Sequence, residues 1–243
     1  MTRYLRLGAL AGAAGGLAMA AVLRIIGEPT IGDAIALERA HLPAGAHHEE
    51  MFGRGTQQFG GMAAALVYGV AIGLVFAIVF AAIRHRLASR DDWRSAALLG
   101  ATGFVTLFAV PFLKYPPNPP AVGNPDTITE RTVLYLVLVG WSIVASWATW
   151  RLHRGLRARA IPEPRRVPPT ALSYVVLIIV AFVALPGNPD SINVPATLVW
   201  RFRLASLGGA AAFWSVLGVV FGWLCLRVRR SQAPADARAA ARI

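Results

Sequence analysis

The chain has 243 residues, 56% of them apolar, with a mean hydropathy of +0.54 and a formal charge of +12. That apolar share exceeds what one soluble domain can hide, and it is gathered in runs near the roughly 20 residues that cross a bilayer. The basic residues lie in short clusters between those runs, a pattern of membrane orientation that excludes a nucleic-acid face, and the single cysteine, Cys225, excludes an intrachain disulfide.

The first run covers residues 7–23. Arg3 and Arg6 before it and small residues at its end would also suit a signal peptide. Gly8, Gly12 and Gly16, however, fall on one helix face at four-residue spacing, which lets a second helix approach closely. A polar segment, 24–60, follows with Glu28, Asp33, Glu38, His41, His47, His48, Glu49 and Glu50, and reads as a loop outside the cytoplasm. The second run, 61–83, repeats the glycine spacing at Gly69 and Gly73.

The third run, 95–113, ends in a proline-rich stretch whose residues 111–126 read as non-helical and whose turn occupies 114–127. Pro116, Pro117, Pro119 and Pro120 lack amide donors and push their predecessors into extended backbone. Thr127 and Glu130 stand at capping-box spacing before the fourth span, 131–150. A basic loop with Arg151, Arg154, Arg157, Arg159, Arg165 and Arg166 leads to Pro168-Pro169 and the fifth run, 170–185. The sixth run is 204–226, and the alanine-rich tail 231–243 reads as disordered and cytoplasmic. Residues 187–192 (Gly-Asn-Pro-Asp-Ser-Ile) echo 123–128 (Gly-Asn-Pro-Asp-Thr-Ile), which suggests a repeat of spans three and four in spans five and six.

The fold expected is therefore all-α: a polytopic membrane protein, a bundle of six transmembrane helices over residues 1–230. With the N-terminus inside, 17 of the 24 basic residues fall on inner segments and 8 of the 12 acids on outer ones. The positive-inside rule then places both termini in the cytoplasm and the histidine segment outside, in a cell inner membrane.

No phosphate-binding glycine loop precedes the only lysine, Lys114, and no paired cysteines, HExxH helix or GxSxG elbow occurs, so the reading is not an enzyme. No acid or base falls at mid-depth in a run; the polar candidates there are Tyr68, Thr102, Thr106, Ser142, Ser146 and Thr149, and Ser142 and Ser146, which share a helix face, are expected to bond back to their own helix. The acids and arginines at the span ends, Asp126, Glu130, Arg131, Asp190, Arg201 and Arg203, suit an ion-pair ring. His41, His47, His48, Glu49 and Glu50 combine imidazole with carboxylate, a donor set for borderline divalent metals, though it equally describes a solvated acidic loop. Ligand type alone gives no preference for cobalt, since affinity order favours copper and zinc.

The histidine–acid segment ending His47-His48-Glu49-Glu50, the pattern Tyr68-Gly69-x-x-x-Gly73-x-x-Phe76 and the proline-rich turn together resemble the CbtA family of predicted cobalt transporter subunits. The resemblance implies a prokaryotic membrane subunit for cobalt or cobalamin-linked metal uptake. It implies cobalt as the transported ion, with no permanently bound cofactor. It also implies a small single-helix, histidine-bearing (CbtB-like) partner; the lipid bilayer and a homo-oligomer are the further partners expected. The function expected is uptake of a divalent transition metal collected by the five His and Glu residues; the alternative is a non-transporting scaffold or assembly partner.

Overall fold

A computed structural model describes residues 1–41, 52–86, 91–120, 122–188, 192 and 194–240, with side chains at all of these except 40, 41 and 231–240. Every regular element among them is helical: α1 Thr2–Val22, α2 Glu28–His41, α3 Arg54–Ile83, α4 Asp92–Phe104, α5 Val110–Lys114, α6 Ile128–Ala158, α7 Glu163–Ala184 and α8 Ala196–Ala240. Joined through short π and 3-10 turns, they make six helices long and apolar enough to cross a membrane: Thr2–Arg39, Arg54–Arg86, Asp92–Lys114, Pro125–Ala158, Glu163–Ala184 and Ala196–Arg230.

Several boundaries differ from the sequence reading. The segment 24–60 is not all loop, because a π turn, Leu23–Gly27, carries the first helix on into α2. Pro111 to Lys114 are helical, so the non-helical stretch begins only at Tyr115. The fifth helix starts at Glu163 and carries Pro168 and Pro169 inside it. Both prolines lie in its second turn, close to the end where missing amide donors cost least. The backbone is helical to Ala240 where the sequence reads as disordered; alanines extend a helix that is already nucleated. Thr127 makes no capping hydrogen bond. Asn124 caps instead, its side chain accepting from the Asp126 amide at 3.0 Å, because Pro125 opens a 3-10 turn three residues before α6.

Packing divides the chain into two compact units, Met1–Gly103 with Trp200–Ile243, and Phe104–Val199. These units do not follow the suggested repeat of spans three and four in five and six. The echo is also weak in backbone terms: Gly123 has φ 109°, and Gly187 does not share that left-handed conformation.

In the first unit the two glycine faces pack on each other in antiparallel register, Gly8 against Gly73, Gly12 against Gly69 and Gly16 against Ala65. A Cβ on any of the three α1 glycines would run into a carbonyl of α3, so backbone meets backbone. Phe221 of α8 fills the adjoining core, its ring centroid 5.0 Å from Phe80 and 5.2 Å from Phe76 in edge-on contacts. One end of this unit is tied by charge. Asp92, buried at the start of α4, lies 3.5 Å from both Arg84 and Arg229. Arg84 also donates to the Tyr4 hydroxyl and lies over its ring.

The second unit packs α5, α6 and α7 around Val110, Tyr115, Leu138 and Ala181. The turn between α6 and α7 closes tightly, the Ile161 amide donating to Leu156 and the Ala160 amide to Arg157. This is the bonding of a Schellman cap, which wants a left-handed residue, and Ala160 supplies it with φ 55°. Glycine adopts that conformation without the Cβ penalty, so Ala160→Gly is expected to stabilise the protein by about 1 kcal/mol. Thermal unfolding in detergent measures this, and a lowered midpoint would contradict it.

Candidate functional site

The sequence places its metal candidates between α2 and α3. His41 is the last residue of α2, and His47, His48, Glu49 and Glu50 lie outside the described residues. Among the described residues no group of three His, Cys, Asp or Glu side chains is placed to hold a metal ion. Asp190, one member of the suggested ion-pair ring, also lies outside them. Another member, Arg201, donates to Asp33 of α2 at 3.0 Å, within the first unit.

What the structure adds is the footing of the histidine segment. Glu28, the residue after the buried Gly27, accepts from Arg54 at 3.0 Å and from Gln58 at 2.8 Å. The side chain of Glu28 is only 18% exposed, so it needs those two donors. Arg54 begins α3 and also donates to Gln57 at 3.0 Å. The chain on both sides of 42–51 is therefore tied together at the carboxylate of Glu28. Beside this pair opens a cleft of about 280 Å³, lined by Glu28, Gln58, Met62 and Ser206 among mainly apolar neighbours. Carboxylate, amide and thioether groups are donors for a divalent ion, but Arg54 holds the carboxylate.

Glu28 sits where it does because of Pro29. A proline has no amide and crowds the carbonyl four residues back. The π turn Leu23–Gly27 ends two residues before Pro29, and a second π turn, Val105–Ala109, ends two residues before Pro111. A wider turn moves the crowded carbonyl aside, which accounts for the matching offset. In the second case the carbonyl denied its usual amide is that of Leu107, and the Tyr135 hydroxyl donates to it at 3.4 Å.

That hydroxyl opens a polar face along α6 in the second unit. Ser142, fully buried, pairs with the Tyr174 hydroxyl at 3.3 Å, Ser146 with Thr106 at 2.8 Å, and Thr149 with Ser173 at 3.5 Å. The expectation of own-helix bonding fails for Ser142 and Ser146, which bond to other helices, while Thr102 does bond back to Leu98 at 2.8 Å. From Tyr135 to Thr149 the face climbs about 21 Å at 1.5 Å per residue, most of a hydrocarbon core. It offers neutral oxygens and no formal charge. Near its Tyr135 end lies a cleft of about 260 Å³ lined by Tyr115, Asn118, Thr132 and Asn188.

The neighbouring grip on α7 is equally polar. Lys114 donates to the Phe182 carbonyl at 2.8 Å and Tyr115 to that of Pro186 at 2.7 Å. Burial pushes the Tyr115 phenol above its ordinary pKa, so it stays a donor across the neutral range.

Six helices long and apolar enough to cross a membrane define a polytopic helical membrane protein. A family model described as Probable cobalt transporter subunit (CbtA) matches residues 1–226, and the chain belongs to that family. No curated protein and no solved structure matches it. Transport, not catalysis, is the role that description gives its members, and a subunit works with partner proteins.

Proposed function

We propose that the chain admits a divalent transition metal, cobalt foremost, across a cell inner membrane of a prokaryote, with both termini in the cytoplasm. The match of residues 1–226 to a cobalt transporter subunit family carries this reading. His41, His47, His48, Glu49 and Glu50 collect the ion at the outer face. The Glu28–Arg54 pair ties the start of α2 to the start of α3, the two helices that the collecting segment connects. The hydroxyls of Ser142, Ser146, Thr106 and Thr149 supply neutral oxygens at mid-depth, which suit an ion that must leave again. An inside-negative potential favours entry of a doubly charged ion by about 4.6 kcal/mol per 100 mV, twice the single-charge value, with no nucleotide site in this chain.

A subunit implies company, and a small single-helix, histidine-bearing (CbtB-like) protein or a second copy of this chain is the company proposed. Vesicles holding the purified chain, with an imposed potential and external cobalt, nickel or zinc, test the scheme. Potential-driven uptake that falls at least about tenfold in a His41→Ala, His47→Ala, His48→Ala triple variant is expected, the loss of about 1.4 kcal/mol of ion binding. Unchanged uptake in that variant overturns the collecting site. Uptake by no metal, with or without potential, overturns transport by this chain alone and favours the scaffold reading or an obligate partner.

A further inference from the structure

Two arginines of α6 stand over tryptophans one turn earlier. Arg151 lies 5.6 Å from the Trp147 ring and Arg154 4.9 Å from the Trp150 ring. The spacing is i to i+4 in both, and the two columns are three residues apart, so they run side by side at the same end of the helix. Arg227 repeats the spacing on Trp223 in α8, at 4.1 Å. Both α6 arginines are exposed, and among the described residues neither makes an ion pair. Trp147 is 59% exposed, on a helix that spans a membrane.

A guanidinium stacked on an indole has its face covered and its in-plane N–H groups turned outward. Those donors form a fork that matches phosphate oxygens. Indoles settle at the boundary between acyl chains and headgroups, which fixes the height of the fork at the phosphate layer. The rest of this end is basic as well, with Arg157, Arg159, Arg165 and Arg166 against the single acid Glu163. A cation would find nothing here, and an uncharged headgroup would satisfy only part of the fork.

We propose that Trp147, Trp150, Arg151 and Arg154 form a binding site for the phosphate of an anionic phospholipid in the membrane leaflet at this end of α6. The lipid phosphodiester is taken up between the two guanidiniums, and its acyl chains lie along the apolar face of α6 below the indoles. This site is separate from the metal scheme and holds whichever ion the protein moves.

Native mass spectrometry of the full chain, delipidated in neutral detergent and titrated with phosphatidylglycerol or phosphatidylcholine, reads the site directly. Preferential retention of the anionic lipid is expected in the wild type. Both guanidiniums are expected to make charge-assisted hydrogen bonds to the phosphate, so Arg151→Gln with Arg154→Gln should lower retention of the anionic lipid at least about tenfold. Trp147→Leu with Trp150→Leu keeps every charge and is expected to weaken it severalfold. Arg151→Lys with Arg154→Lys keeps charge without the planar fork and should fall between wild type and the glutamine pair. Arg159→Gln with Arg165→Gln removes as much charge elsewhere on the same end and should change little.

Equal loss in that last pair would show diffuse attraction and overturn the site. So would tryptophan variants that retain the lipid as the wild type does, or displacement by glycerol phosphate at the concentration that saturates with lipid. If the glutamine pair does not fold, the lysine and tryptophan pairs carry the same decision.

Discussion

Gly12→Ala is expected to destabilise the protein by about 2–3 kcal/mol, near the top of the range for forcing a methyl into a packed interface. The new Cβ meets the Gly69 carbonyl, which is fixed in the α3 backbone and cannot swing aside as a side chain would. Gly69→Ala and Gly73→Ala face the carbonyls of Gly12 and Gly8 in the same manner and should behave alike. The same substitution reverses sign elsewhere. Gly61 on α3 and Gly140 on α6 have open space around them, so alanine there gains helix propensity, about 0.5–1 kcal/mol. Unfolding of the five variants in one detergent, by denaturant or heat, separates the two classes. A common sign for all five would mean that α1 and α3 do not meet through their glycines. Leucine at Gly12 should leave no folded protein to measure.

This interface was legible in the chain because a four-residue period maps to a single helix face, and a face without side chains has one use in a bilayer. The six spans were legible for a similar reason: lipid demands length and apolarity, and both can be counted. Other features could not be read so directly. Spacing reports neighbours along one helix, yet Ser142 finds Tyr174 some 32 residues later and Glu28 finds Arg54 after 26. Partners of that kind exist only once helices are assembled. The π turns lie between these cases. Pro29 and Pro111 were visible, and each denies an amide to a carbonyl four residues back, but proline alone does not say whether a helix stops, kinks or widens. At both positions it widens and continues. Thr127 shows how a motif fails: it stands at the N-cap position of α6 with capping spacing, yet the 3-10 turn opened by Pro125 precedes it and the side-chain cap is made by Asn124. The histidine segment, the most chemically pointed stretch, was marked by its residue types alone, and His47, His48, Glu49 and Glu50 lie outside the described residues.

Lys114→Met is expected to cost about 1–3 kcal/mol in the wild-type chain and less than about 1 kcal/mol when Pro186 is also changed to alanine. Phe182 lies in the last turn of α7, where a carbonyl would normally accept from the residue four ahead. That residue is Pro186, which has no amide, and it also holds Leu185 in extended backbone (φ −85°, ψ 143°). The Lys114 ammonium fills the gap at 2.8 Å. It is further held at the negative end of the helix, 5.5 Å from the Tyr115 ring and 5.7 Å from that of Phe182. Methionine keeps the apolar stem and removes the donor, leaving a carbonyl exposed to lipid-like surroundings. Alanine at 186 restores an amide and frees Leu185 to turn helical, so the backbone can satisfy Phe182 itself. The carbonyl of residue 186 survives the change, and Tyr115 keeps its own hydrogen bond. A double-mutant cycle in detergent should therefore give a coupling of at least about 1 kcal/mol. Additive losses would assign the lysine's contribution to the two rings and the helix end, and would remove the proline from the explanation of why the chain's single lysine sits at this turn.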